Sequence, residues 1–138
     1  MSLTQDLARE HTRMLSSLQA VRDEGAADSD GRARLADARM LLEAHLEREE
    51  EDIYGALEAA AAGDPGVRMT LSLYGRNVET LTGEVMAFFD KYAAATPYSE
   101  ADFSRDFDKM LHALKARIQH EEAILFREYD RVTVSVEA

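Results

Sequence analysis

HLEREEEDIYGAL at residues 45–57 and RIQHEEAILFREY at 117–129 share one order of side chains: a basic or imidazole residue, a glutamate four positions later, further acids, then an aliphatic–aromatic pair. Residues four apart differ by about 40° on a helix of 3.6 residues per turn, so His45 and Glu49 point the same way, and Arg117 and Glu121 occupy the analogous positions. A lone imidazole or carboxylate on an apolar stripe is costly to bury, whereas several that converge on one point are balanced by a metal ion. His45 and Glu49, read together with His11 and Glu121, are therefore the first candidate site.

Around these two stretches the apolar residues recur at helical spacing in four long segments, separated by turn chemistry. The first spans 2–24, with Leu7, His11, Met14, Leu18 and Val21 on one stripe and Ser2 with Gln5 as a capping box. After EGAADSDG at 24–31, a second stripe runs Leu35, Ala38, Leu42, His45, Glu49, Asp52 or Ile53, and Leu57, and AAAGDPG ends it. The third segment, 65–94, has a seam of Leu71, Tyr74, Val78, Leu81, Val85, Phe88 and Tyr92. ATPYSE at 95–100 restarts the chain, with Ser99 and Asp102 as a second capping box. The fourth stripe is Phe107, Met110 or Leu111, Leu114, Arg117 or Ile118, Glu121, and Ile124 or Leu125. The expected fold is all-α, an antiparallel up-down-up-down four-helix bundle over 1–131. In it the second and fourth helices run in the same direction, with Glu49 and Glu121 facing each other at similar depth. VTVSVEA at 132–138 alternates like a strand without a partner strand and reads as a frayed tail.

The chain has 138 residues, enough for one ordinary domain with a complete core. It has no cysteine, which excludes thiolate metal sites, iron–sulfur clusters, disulfides and cysteine nucleophiles and leaves His, Asp, Glu and Tyr as strong ligands. Neither a signal peptide nor a run of apolar residues long enough for a membrane span is visible, so the expected location is cytoplasmic. A net charge of −11, from 16 Lys and Arg against 27 Asp and Glu, repels nucleic-acid phosphates and anionic lipid. The serines have no His–Asp partner arrangement, and the chain has neither a phosphate loop nor a dinucleotide fingerprint. Met14, Met40, Met69, Met86 and Met110 read as core filler rather than a copper box. His112 lies about 180° round its helix from Glu121 and faces solvent, whereas His120 flanks the seam.

From EHTRML at 10–15 to EEAILF at 121–126 the sequence resembles the hemerythrin-like, or HHE cation-binding, family, whose members are four-helix bundles with a non-heme iron pair held by histidines and two bridging carboxylates. The resemblance implies His11 as the helix-one ligand, His45 as the first helix-two ligand, and Glu49 and Glu121 as the carboxylates. Two positions depart from the pattern. Tyr74, in LYGRNVETL, stands where the helix-three histidine is expected, and Arg117, which stays protonated and cannot ligate, stands where the helix-four histidine is expected. Arg117 thus becomes a charge substitute for the second metal, leaving one divalent ion, iron by the resemblance, on His11, His45, Glu49 and Glu121, with Tyr74 in reach as a further ligand.

The expected function is the binding or sensing of a small ligand such as dioxygen, nitric oxide or peroxide at an enclosed non-heme iron site. The alternatives are a metal-free degenerate bundle serving as a structural or interaction module, in which Arg117 pairs with the carboxylates, and an iron-dependent redox or repair enzyme.

Overall fold

The structure is a computed structural model that describes residues 2–93 and 97–137, with side chains described as far as residue 133. The expected end of the third helix at Ala94 and the first residues of the ATPYSE turn lie outside the described residues. The fold class is all-α, as the periodicity predicts, and no strand occurs among the described residues. The helices are α1 (Leu3–Glu24), α2 (Ser29–Glu49), α3 (Gly55–Ala61), α4 (Pro65–Thr70), α5 (Arg76–Ala93), α6 (Glu100–His120) and α7 (Phe126–Glu137). Single π-helical turns, Glu50–Tyr54, Leu71–Gly75 and Glu121–Leu125, join α2 to α3, α4 to α5 and α6 to α7. The chain forms two compact units, Met1–Tyr54 and Gly55–Ala138.

In the first unit α1 and α2 form an antiparallel hairpin. Ser2 and Gln5 close the predicted capping box, each bond 3.2 Å long, and so satisfy donors that the first helical turn cannot pair internally. The hairpin turn is built by two glycines. Gly25 takes φ +84°, a left-handed value that a side chain disfavours, and its N–H bonds Val21 O at 2.8 Å to end α1. Asp28 then caps α2 by accepting the Gly31 N–H at 2.6 Å. At Gly31 the backbone passes so close to the turn that a Cβ would lie 2.5 Å from Ala26 Cα and from Gly25 O. The buried stripes are Leu7, His11, Met14, Leu18 and Val21 on α1, and Leu35, Ala38, Leu42, His45 and Glu49 on α2.

In the second unit α5 packs antiparallel against α6. Asp64 caps α4 through the Gly66 and Val67 N–H groups, with Pro65 in the first turn where its missing N–H costs nothing, and Arg131 from α7 bonds the other Asp64 oxygen at 3.1 Å. Phe88, Tyr92, Phe103 and Phe107 form a cluster with ring centroids 4.9–5.9 Å apart, within the range where aromatic pairs attract. At its edge Asp106 Oδ2 accepts from Tyr92 Oη at 2.5 Å and from Lys91 Nζ at 2.7 Å. The Lys91 ammonium first, and then the Tyr92 hydroxyl, hold the Asp106 carboxyl below its ordinary range.

Some expectations need correcting. Met40 and Met69 are 67% and 65% exposed, so of the five methionines only Met14 and Met110 are buried core residues, with Met86 half-buried. Helical spacing gives Met40 and Met69 no priority for the buried face when Leu or Val already occupies it. The backbone of α7 is helical through Glu137 and Val132 is buried, so the helix runs past the expected boundary at residue 131.

Two outcomes follow from this packing. Gly31→Ala forces backbone apart at the hairpin and is expected to destabilise the fold by about 2 kcal/mol, read as a lowered denaturant midpoint with an unchanged m-value. Asp106 has a folded pKa below its unfolded value of 3.8, so it contributes stability above about pH 4 that is lost as the pH falls through the folded value. Asp106→Asn is expected to flatten the fall in Tm below pH 4, measured against wild type across that range.

Candidate metal centre

Three side chains from the sequence stripe meet in the first unit. His11 comes from the middle of the buried face of α1, and His45 and Glu49 from the last turn of α2, where a four-residue spacing stacks them on one face. Their exposures are 2%, 1% and 0%, and one ligand-type atom from each lies within 4.8 Å of the others. Glu49 Oε1 is the point of convergence, 3.2 Å from His11 Nε2 and 2.5 Å from His45 Nε2. The two rings are tilted by 56° with centroids 4.6 Å apart.

The other face of His45 decides its proton. Glu10 Oε1 lies 2.9 Å from His45 Nδ1, and the second Glu10 oxygen accepts from Arg48 Nη1. A carboxylate oxygen acts as the acceptor, so Nδ1 carries the proton and donates a hydrogen bond to Glu10. A neutral His45 then directs its Nε2 lone pair at Glu49 Oε1 from 2.5 Å, an approach between two acceptors that requires a positive species shared between them. A proton on Nε2 satisfies it, and so does a cation. Around an ion with N and O ligands at about 2.1 Å, adjacent ligand atoms stand about 3 Å apart. The donor set therefore fits a divalent cation of the Zn, Fe or Mn type: two imidazole nitrogens, one carboxylate, no sulfur, and one imidazole oriented from behind by a carboxylate.

Glu10 and Arg48 are the functional residues that sequence reasoning missed. Glu10 precedes His11 and therefore points about 100° away from it, off the apolar stripe and onto the flank that faces α2. The available signal was the chemical rule that a ligating histidine gives its second N–H to a carboxylate. That rule names a partner type without choosing among the many acids of this chain.

In the second unit Arg117 and Glu121, 4% and 0% exposed, form a buried ion pair: Arg117 Nη1 donates to Glu121 Oε1 at 2.8 Å. Arg117 Nε donates to Thr82 Oγ1 at 2.7 Å, while that hydroxyl gives its own proton to Val78 O at 2.8 Å. Tyr74 is half-buried in the Leu71–Gly75 π turn, its ring 6.1 Å from that of His120, and the Asn77 amide donates to His120 Nδ1. His112 is exposed, as its helical angle predicts. No helix among the described residues is long and apolar enough to cross a membrane.

The π turns were not foreseen. Two of them begin at or directly after the buried glutamate, at Glu50 and at Glu121, and the third contains Tyr74. A π turn inserts one residue into the helical ladder and re-aims the side chains beside it, which is why such turns concentrate at functional sites. Arg117→Met removes the guanidinium that the buried Glu121 carboxylate faces and is expected to cost about 3 kcal/mol of stability by denaturant unfolding, with Glu121→Gln in the same chain recovering part of that loss.

Comparison with known proteins adds one finding. No curated protein and no solved structure matches the chain, but the family model for the hemerythrin HHE cation-binding domain matches residues 2–129. That span contains the His11, His45 and Glu49 cluster and the Arg117–Glu121 pair, and the chain belongs to the hemerythrin HHE cation-binding domain family.

Proposed function

We propose that this chain is a metal-binding domain that holds one divalent ion, non-heme iron, on His11, His45 and Glu49, and that it acts by binding or sensing a small ligand such as dioxygen, nitric oxide or peroxide. The observation that carries this reading is the convergence of two buried imidazoles on one fully buried carboxylate oxygen, with Glu10 Oε1 against the other ring nitrogen of His45. The family gives cation binding; the buried, cysteine-free donor set gives the N and O character of the ion.

The residues divide the work. Glu10 accepts a hydrogen bond from His45 Nδ1 and so keeps Nε2 aimed at Glu49, and Arg48 steadies Glu10 by holding its other oxygen. Glu49 offers charge to offset the ion, and His11 closes the set from the facing helix. A bound iron supplies Lewis acidity and a one-electron couple at this point. In our reading Arg117 is the fixed charge that takes the place of a second ion, since it already binds Glu121, and Tyr74 has its ring beside that of His120.

A second reading has its own support. With a proton on His45 Nε2, the chain from Glu49 through His45 and Glu10 to Arg48 is a closed hydrogen-bonded layer that needs no ion, and the domain is then a structural or interaction module.

Elemental analysis of protein reconstituted anaerobically with Fe(II) and desalted separates the two. The metal reading expects about one iron per chain, loss of that iron in His45→Ala, a 10- to 100-fold weaker affinity in Glu10→Gln, and a Tm that rises with Fe(II) and falls with chelator. Two irons per chain overturn the one-ion model. No iron, with a Tm indifferent to Fe(II) and chelator, overturns metal binding and leaves the structural layer. If one iron is bound but nitric oxide leaves its optical spectrum unchanged, the small-ligand part of the reading is wrong.

A further inference from the structure

On the outer side of the His45 cluster, α1 and the last turn of α2 border a groove of about 580 Å³ lined by Asp6, Arg9, Glu10, Thr12, Arg13 and Arg48. Its charge departs from that of the chain. In a protein of net charge −11, three arginines here face two carboxylates. The carboxylates are also engaged: one Glu10 oxygen accepts from His45 and the other from Arg48, while Asp6 lies 4.0 Å from Arg48. Arg9 and Arg13 are exposed and make no ion pair among the described residues.

Their spacing makes this placement unfavourable by itself. Four residues apart on α1, Arg9 and Arg13 are neighbours on one helix face, where like charges repel. A dianionic tetrahedral group removes that repulsion, because guanidinium forks bind phosphate oxygens through paired N–H bonds. We propose that this groove is a binding site for a phosphate-type oxyanion, held between Arg9 and Arg13 with Arg48 at its inner edge. Arg48 is the link inward. An anion that draws on its guanidinium competes with the Glu10 oxygen that Arg48 holds. Anion binding itself does not depend on a metal.

The test uses the metal-free, isotopically labelled chain at low ionic strength, titrated with inorganic phosphate in one arm and phenyl phosphate in the other, against matched sodium chloride. The expected result is saturable amide shifts across residues 6–13 and at Arg48, and affinity at least about tenfold weaker in Arg9→Gln/Arg13→Gln, whose exposed side chains leave the core intact. Saturation by inorganic phosphate alone identifies a free oxyanion as the ligand, and saturation by both probes identifies a phosphomonoester. Shifts that fail to saturate with either probe, or that are the same in the double variant, overturn the proposal. Because no metal is present, that failure leaves the iron reading untouched, and absence of iron binding leaves this one untouched.

Discussion

A carboxylate with no solvent contact is the constraint on which the rest of the structure depends. Glu49 in the first unit and Glu121 in the second are both at 0% exposure. Removing such a group from water is tolerable only if positive charge or several donors meet it, or if it gives up its own charge. Each unit meets this demand with a side chain four residues earlier on the same helix, and with a contribution from the antiparallel neighbour. His45 and His11 do so for Glu49, and Arg117, itself bonded to Thr82, does so for Glu121.

The two solutions differ in what they leave open. A guanidinium is charged at every accessible pH and presents a planar fork, so the Arg117–Glu121 pair is complete as built. An imidazole whose Nδ1 proton is already committed has one nitrogen left, and that nitrogen needs something positive beyond it. The histidine solution is therefore incomplete without a proton or a cation, and its positive charge is exchangeable. The repeat visible in the sequence thus encodes one unit with a fixed cation and one with a replaceable cation.

This logic was legible in the sequence because it rests on residue type and helical angle. The four apolar segments, the buried side of His11, His45, Glu49, Arg117 and Glu121, and the solvent side of His112 follow from a period of 3.6 residues; of the two expected capping boxes, Ser2 with Gln5 closes in full, while Ser99 caps its helix only by accepting from the Asp102 N–H. What was not legible depends on other things. The π turns shift backbone hydrogen bonds by one residue without any Pro or Gly that all three share to mark them. Glu10 lies off the apolar stripe and acts through a partner 35 residues away, which no local pattern reveals. The exposed Met40 and Met69 show the limit of the apolar pattern, since a flexible thioether fits either side of an amphipathic helix.

The polar layer also explains why this hairpin has one register. Between its ends, α1 and α2 meet through stripes of Leu, Ala, Met and Val, and such stripes repeat closely enough that a slip of one turn preserves most of their burial. At the turn, Gly25 and Gly31 fix the register sterically. Toward the open end the match is chemical: Glu10 to His45, Arg48 to Glu10, and His11 to Glu49. A one-turn slip would leave a buried carboxylate and two imidazoles without those partners, a cost far above that of a few displaced methyl groups. Three of the residues that specify the hairpin, His11, His45 and Glu49, are therefore the ones we propose for the cation, and an ion bound there would stabilise the correctly registered hairpin over a slipped one. Metal affinity and register are then two measures of one geometry.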